Sequence, residues 1–539
     1  MHSMSVLNLV KSSYSLILSY LLLSITIGTN AQISIRTIDN QAIPNEPSIA
    51  IRPTRDWIKP MVAASNIDNF YTNPLNPKSL KTRSTSKYGV YGDPVLHYSD
   101  TTLFFAHLSK TQDKGYRDWF DRIVVQKIEN PYTWQETSYS VGYNQNKMQD
   151  KPWLSSDNHS PRFNGNVYVT WTEFDKYDSK DPNDRSRIRF AKYAPSADSF
   201  STAITISDTT GDCLDGDSTL EGATTAIGKD GTLFAAWAGL DYIWLDESTD
   251  GGTTWGTDRK IAYQPKGWDM DMPNIMRANG MPFIQSDTAR DILYITWADE
   301  YSGNADVWII YSQDQGKSWS DRICVNQDTS TRGQYFPNMV VDQATGSVFI
   351  AYYDFRYSSS EAFYNIMLTR FSIKEGMTEY LITPEAIPLP GKNVFYGDYL
   401  DLDVQGSNLA IIYTANTIAN DTRIKIAHTN LYQKYLIGRK RNSNNAIGII
   451  DQNDSLVLQC NAVIPYRLAV KVIIRDGNNN KRKIKKTVIY KDLDQAIDHR
   501  ILGLQLADTE YIKKAKFTLR YFSGRKKEIQ RLKNDFVTN

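Results

Sequence analysis

The chain has 539 residues, with 61 Lys/Arg against 60 Asp/Glu, 12% aromatic residues and three cysteines. That length holds one large domain and a smaller one. Three cysteines (Cys213, Cys324 and Cys460) exclude a disulfide scaffold and read as buried free thiols, so stability must come from a large aromatic core.

In chain order, residues 1–31 read as a secretory signal: Lys11, an apolar run over 16–27, and a small-residue ending at Ala31. The run is too short and too interrupted by Ser and Thr to span a membrane, and no later stretch could cross one. The expected product is an exported bacterial protein, secreted or held at the cell surface, with no transmembrane segment after cleavage. Residues 32–37 alternate as an isolated strand that could complete the last of the repeats that follow.

Residues 32–433 are repetitive. Seven units each begin with a short strand, often opened by an acidic residue and Pro, at 45–51, 92–97, 150–154, 221–226, 272–276, 336–341 and 397–402. An apolar, aromatic-rich strand follows each, at 61–64, 103–106, 167–171, 233–237, 293–297, 348–352 and 409–413. Period-2 alternation of β-branched and aromatic residues makes these strands. Unit starts recur every 47 to 71 residues, the span of a four-stranded propeller blade with variable loops. Seven units predict seven blades, with six as the alternative. Two units carry the pattern S-x-D-x-G-x-[ST]-W, at Ser248–Trp255 and Ser312–Trp319. It reads as a hairpin turn: Asp accepts backbone N–H groups, Gly supplies a positive φ, and Trp plugs the gap beneath.

Composition changes near residue 440. Residues 440–539 hold 21 Lys/Arg against 10 Asp/Glu, and the rest of the chain holds 40 against 50. Residues 434–445 read as a polar linker and 446–539 as a basic C-terminal domain. Alternation at 455–464, 467–475, 483–490 and 514–521 predicts a small β-sandwich. The run Lys481–Lys486 reads as a solvated strand face or a polyanion grip. The acidic propeller half disfavours nucleic acid as a partner.

The S-x-D-x-G-x-[ST]-W repeat resembles the Asp-box, or bacterial neuraminidase repeat, of sialidase-like β-propellers. About 400 residues share the implied fold, and the two boxes are the specific motif. The resemblance implies an all-β propeller with the boxes at blade peripheries. It also implies exo-α-sialidase-like glycoside hydrolysis of an extracellular glycan or glycoprotein. The alternative is a non-catalytic glycan- or protein-binding propeller. Sialidases hold the substrate carboxylate with three arginines, attack with a Tyr–Glu pair and use an Asp as acid/base, because a neutral Tyr does not repel an anionic sugar. The corresponding expectations here are Arg277, Arg332 and Arg356 for binding, Tyr399 with Glu221 as the pair, and Asp93 as the acid. The chain departs from the family where an Arg-Ile-Pro-like motif belongs: it has Ala50-Ile51-Arg52-Pro53. Its seven units also exceed the six sialidase blades.

The residues themselves suggest the same place. Glu46, Asp93, Asp150, Glu221 and Asp398 stand at or just before the start of opening strands, and Asp271 precedes the fifth. A propeller would focus all six on one funnel. They cap strand starts, or they form a site; crowding costs free energy unless cations or shared protons relieve it. No cofactor is required, and Ca²⁺ is the one the sequence suggests. Asp212, Asp215 and Asp217, with Glu221 nearby and Gly216 allowing a tight turn, supply hard oxygen ligands at short spacing. Trp153, Trp268 and Trp308 would stack on sugar faces if they reach the funnel.

Overall fold

A computed structural model describes residues 33–431, apart from 54–59, 77–79, 112–118, 359, 361, 407 and 418–420, and seven strands between 436 and 532. Residues 1–31, read as a signal, lie outside the described residues. All regular structure among the described residues is β. The chain divides into a unit built on Ile33–Asn430 and a C-terminal unit.

The first unit is a seven-bladed β-propeller. Seven antiparallel sheets follow one another, with innermost strands Ser48–Ile51, Val95–Ser99, Met148–Ser156, Glu221–Ile227, Phe283–Asp287, Gln334–Asp342 and Asp401–Gln405. We number the blades 1 to 7 in that order. The seventh has only three strands of its own from this stretch. Its outer edge is Ser34–Asp39 from the N-terminus, paired antiparallel with Thr422–Asn430. The isolated strand therefore closes the ring. Asp39 at its end also accepts bonds from Tyr71 and, at 2.7 Å, from Lys81 in blade 1.

Adjacent innermost strands belong to different sheets, so side chains stitch their backbones together. Asp401 Oδ2 of blade 7 accepts from Ser48 Oγ and Ile49 N, each at 2.9 Å, and Ser48 Oγ in turn accepts from Leu96 N of blade 2. Thr224 joins blade 4 to Pro282 and Ile284 of blade 5, and Asn338 joins blade 6 to Leu400. Polar residues inside these strands thus satisfy backbone groups that sheet pairing leaves free.

The second strand of each blade supplies the core. In blades 3 to 7 the aromatic near its end is Trp171, Trp237, Trp297, Tyr352 or Tyr413, each fully buried. Trp171 illustrates the tightness: it abuts Gly142 at the end of blade 2, where a Cβ would lie 2.4 Å from the ring and φ is +65°. Burying such a ring transfers about 150–250 Å² from water, worth about 4–6 kcal/mol.

Both S-x-D-x-G-x-[ST]-W turns form as read. Asp250 Oδ1 accepts from Thr253 N and Thr254 N at 2.9 Å, and Asp314 Oδ1 from Ser318 N at 2.9 Å. Gly252 and Gly316 have φ of +80° and +76°. The turns also tie blades together. Trp255 packs edge-on against Phe190 of blade 3 at 5.0 Å, and Lys192 of that blade donates to Gly251 O. Cys213 and Cys324 are free thiols.

In the C-terminal unit, Leu436–Lys440, Ser455–Cys460 and Ile497–Arg500 form a three-stranded sheet. Lys481–Tyr490, Tyr466–Arg475, Tyr511–Tyr521 and Ile529–Leu532 form a four-stranded one. Leu436–Lys440 falls within the segment read as a linker.

One predicted opening strand is displaced. Residues 272–276 are a turn, and the innermost strand of blade 5 is Phe283–Asp287, paired with Ile292–Asp299. Met272-Pro273 repeats the start signal, but the signal recurs at Met281-Pro282, where the β-rich residues actually follow.

Candidate functional site at the channel mouth

The same local distortion recurs where the chain enters successive blades. Glu46, Asp93, Lys151 and Phe336, each just before a Pro, have φ of 46–49°, and Gly222 and Gly397 are also left-handed. A positive φ is uncommon for non-glycine residues. Blades 3, 4 and 6 show a register shift at this point, between Asp150 and Trp153, Glu221 and Thr224, and Tyr335 and Asn338. Such bulges re-aim side chains next to functional sites.

Charged side chains from the entries of six blades, all but the sixth, converge there. Asp398 is the hub: Lys151 Nζ lies 2.5 Å from its Oδ2, Arg277 Nε lies 2.8 Å from Oδ1, and a second Arg277 nitrogen closes a bidentate pair. Arg277 also reaches Asp215 Oδ2 at 2.8 Å, and Asp215 Oδ1 accepts from Trp268 Nε1 at 3.0 Å. Tyr177 donates to Asp215 as well. Glu46 contacts Asp93, and Asp93 contacts Asp150, so three carboxyls form a chain beside the ion pairs.

Burial pushes every carboxyl here upward, and position relative to the two cations decides which ones ionise. Against that burial, Arg277 and Lys151 hold Asp398 well below the usual carboxylate range. Lys151, Arg277 and the Tyr177 bond lower Asp215 as well. Burial and the negative neighbour Glu46 drive Asp93 up to about 8. Burial and Asp398 bring Glu46 to about 7, and burial with the Asp93 and Asp215 charges brings Asp150 to about 7. Glu221, fully buried against Asp215, is raised well above its ordinary value. Near neutral pH two carboxylates face two cations, and the remaining carboxyls hold or share protons.

The structure brings together five predicted carboxylates, Glu46, Asp93, Asp150, Glu221 and Asp398. Asp271 stays out of this buried network: it is exposed on the loop before blade 5, lining the cleft above, where its N–H donates to Glu300. Tyr399 is buried edge-on against Trp153 at 5.7 Å, but it does not pair with Glu221. Its hydroxyl and both Glu221 oxygens lack a hydrogen-bond partner of normal geometry. Burial and the charges of Asp93 and Glu46 raise Tyr399 well above 10, which opposes phenolate formation.

The three arginines do not share a pocket of ion pairs. Arg277 lies in the channel network, on the loop before blade 5. Arg356 is bound within blade 6 by Asp354 at 2.7 Å and Glu379 at 2.8 Å. Arg332 is half-buried on the loop before blade 6, where its N–H donates to Ser330.

The three loop carboxylates expected to bind Ca²⁺ diverge to separate partners. Asp212 accepts from Leu214 N and Thr219 Oγ1, Asp215 takes Arg277, and Asp217 accepts from Trp268 N at 2.8 Å. Among the described residues no group of three or more His, Cys, Asp or Glu is placed to hold a metal. Of the three tryptophans, Trp153 packs in the core on Phe283, Trp308 lies within blade 5, and Trp268 reaches the channel mouth.

Above the network lies a cleft of about 450 Å³, lined by the loop before blade 5 with Trp268, Met272, Met276 and Arg277, and by Asp215, Asp398 and Lys392. Arg277 is 38% exposed there while Asp398 beneath it is 2% exposed. Lys151 is the residue that sequence reasoning passed over. The signal was present: it occupies the pre-proline position that Glu46 and Asp93 occupy in blades 1 and 2.

Fold and site together define a seven-bladed β-propeller with an ion-paired, acid-rich channel mouth. No protein-family model and no curated protein matches the chain. Among solved structures it is similar to a Hadza microbial sialidase, at 14% identity over 70% of this chain and 75% of that one, with a TM-score of 0.39. It is also similar to Trypanosoma rangeli sialidase in complex with the inhibitor DANA, at 10% identity over 83% and 86%, TM-score 0.38. A third is Penicillium chrysogenum α-L-arabinanase complexed with arabinobiose, at 11% identity over 74% and 98%, TM-score 0.36.

Proposed function

We propose that this is an exported glycan-active propeller that hydrolyses a glycosidic bond in the channel-mouth cleft with a pair of carboxyl groups. One observation carries the reading: adjacent carboxyls in a single network are held in opposite protonation states, with Asp215 ionised and Asp150 held near 7. Environments that push neighbouring carboxyls apart mark an acid and a base. In this reading substrate displaces Arg277 from above the network, Asp150 then donates the proton to the leaving oxygen, and Asp93 and Glu46 behind it restore that proton. Asp215, which lines the cleft, attacks directly or through water. Tyr399 is not the nucleophile, because its surroundings oppose ionisation. Arg277, the exposed cation of the network, favours an anionic sugar, and a sialoside is the first substrate to try.

A second reading, glycan binding without turnover, is favoured by one feature. Arg277 is committed to Asp398 and Asp215, and the protonated carboxyls are buried beneath it. A panel of fluorogenic aryl glycosides that includes a sialoside separates the two. Turnover by wild type that falls at least a hundredfold in both Asp150→Asn and Asp215→Asn is the expected result. Equal rates in wild type and variants refute the assignment. No turnover on any member moves the function to binding.

A further inference from the structure

Beside the cleft, on the two blades that flank its loop, two tyrosines stand in solvent. Tyr263 ends the outer strand of blade 4 and is 47% exposed; Tyr301 sits in the turn after Ile292–Asp299 and is 56% exposed. Exposed single tyrosines are ordinary. One cation links these two, packing on the ring of Tyr301 and bonding the backbone of Tyr263. Arg322 lies 3.7 Å from the Tyr301 ring centroid, covering one face, and 5.1 Å from that of Trp308. The same guanidinium bonds Asp299 at 3.2 Å and donates to the Tyr263 carbonyl. Tyr301 also meets Trp308 edge-on at 6.0 Å, and Tyr263 meets Tyr242 edge-on at 5.6 Å.

The pair is continuous with the cleft. Tyr263 directly precedes the loop that lines it. Gln264 Nε2 bonds Gly280 O at 2.8 Å and Ala298 O at 3.2 Å, tying both ends of that loop to blade 5. Glu300, next to Tyr301, donates its N–H to Pro265 O and accepts from Asp271 N at 2.6 Å. Lys266 and Asp271 line the cleft. The Tyr301 ring and the backbone that carries Tyr263 are therefore fixed relative to the cleft.

Resting on the reading of the cleft as a glycan site, we infer that Tyr263 and Tyr301 form an outer sugar-binding platform, so that the ligand is a chain of several sugar residues running from the cleft over blades 4 and 5. A sugar ring presents an apolar face of C–H groups between equatorial hydroxyls. A fixed aromatic face with a phenol at its tip matches both parts, and prior ordering by Arg322 removes part of the entropy lost on binding. Two separate polar-tipped rings suit a succession of sugars; a protein partner would call for a contiguous apolar patch.

Chain length is the discriminating variable. The full-length protein would be applied to a printed array of neutral and anionic oligosaccharides of one to eight residues, and the hits titrated in solution. The expected result is a Kd about tenfold lower for chains of four or more residues than for the matching mono- or disaccharide. Tyr263→Ala/Tyr301→Ala should erase that gain, leave short-ligand affinity unchanged and keep a wild-type melt, whereas Arg277→Ala should weaken short and long ligands alike. Length-independent affinity, or a length gain that survives the double substitution, overturns the platform and leaves the cleft reading standing. No glycan bound at any length overturns both.

Discussion

Asp398→Asn tests the network at its hub. The side chains of Asp398 and Lys151 are 2% and 6% exposed, so solvent screens neither, and the substitution leaves Lys151 and Arg277 facing a neutral amide. Removing one partner of a buried ion pair costs about 3–5 kcal/mol, chiefly because the other charge stays buried without compensation. The ring of roughly 400 residues has an unfolding entropy of about 0.8 kcal/mol/K at its midpoint, at about 2.1 cal/mol/K per residue. The expected fall in Tm at pH 7 is therefore about 4–6 °C by calorimetry. Lys151→Met alone should cost a comparable amount, because it leaves Asp398 with Arg277 only. The two together should cost less than their sum, by about 1–3 kcal/mol, as contacting residues do. A Tm within 1 °C of wild type for Asp398→Asn, or strictly additive losses, would show that the cluster does not hold the channel together.

Three further outcomes follow from the same geometry. Asp93, raised to about 8 by burial and Glu46, keeps its proton in the folded ring while the unfolded chain loses it near 4. The native state thus binds more protons between those values, and stability falls as pH rises. Glu46 and Asp150, both brought to about 7, slope the same way, so the Asp93 share is the difference between wild type and Asp93→Asn from about pH 7 to 8, above the titration of unfolded histidines near 6.5. Asp93→Asn should flatten the decline of Tm across that window, and an unchanged slope counts against a protonated Asp93. Trp255→Ala should destabilise by about 2–3 kcal/mol in urea, below the value for a fully packed site because the ring is only half-buried, with ligand binding by the folded protein intact. Deleting residues 33–39 removes the closing strand and the Asp39 contacts, and should abolish the cooperative melt; a wild-type transition would show closure to be dispensable.

Repetition made most of the fold legible. Six of seven opening strands and all seven partners emerge from alternation, because each blade needs the same buried pattern whatever its loops do. The fifth failed for a physical reason. A residue before Pro marks a strand start, and the loop before blade 5 contains two such marks, so only the pairing of Ile284 with Ile295 decides between them. The site was legible as a set of carboxylates and illegible as a network. Spacing places acidic residues at blade starts, but whether Arg277 or Arg356 joins them depends on loop paths. Arg356 sits two residues past Asp354 and is captured by it locally, while Arg277 finds Asp398 from 121 residues away. Lys151 was hidden by its type, since a lysine between an aspartate and a proline ordinarily reads as solvated.

A symmetric scaffold cannot by itself build an asymmetric site, and the left-handed pre-proline position at the blade entry is where the symmetry breaks. The backbone there is alike in blades 1, 2, 3 and 6, yet it presents Glu46, Asp93, Lys151 and Phe336. Three of these are charged, and the one cation among them joins Arg277 in letting Asp398 ionise while burial raises Glu46 to about 7 and Asp93 to about 8. Phe336 instead packs edge-on against Tyr353 at 5.8 Å and against Tyr396 at 6.1 Å, an apolar sector that puts no charge on that side. Had Lys151 been a third carboxylate, Arg277 would be the only countercharge for the cluster, and Asp398 and Asp215 could not both remain ionised at low dielectric. One lysine at a repeated backbone position therefore joins Arg277 in setting which carboxyls of the channel mouth hold protons, and with that the acid–base polarity on which any chemistry in the cleft depends.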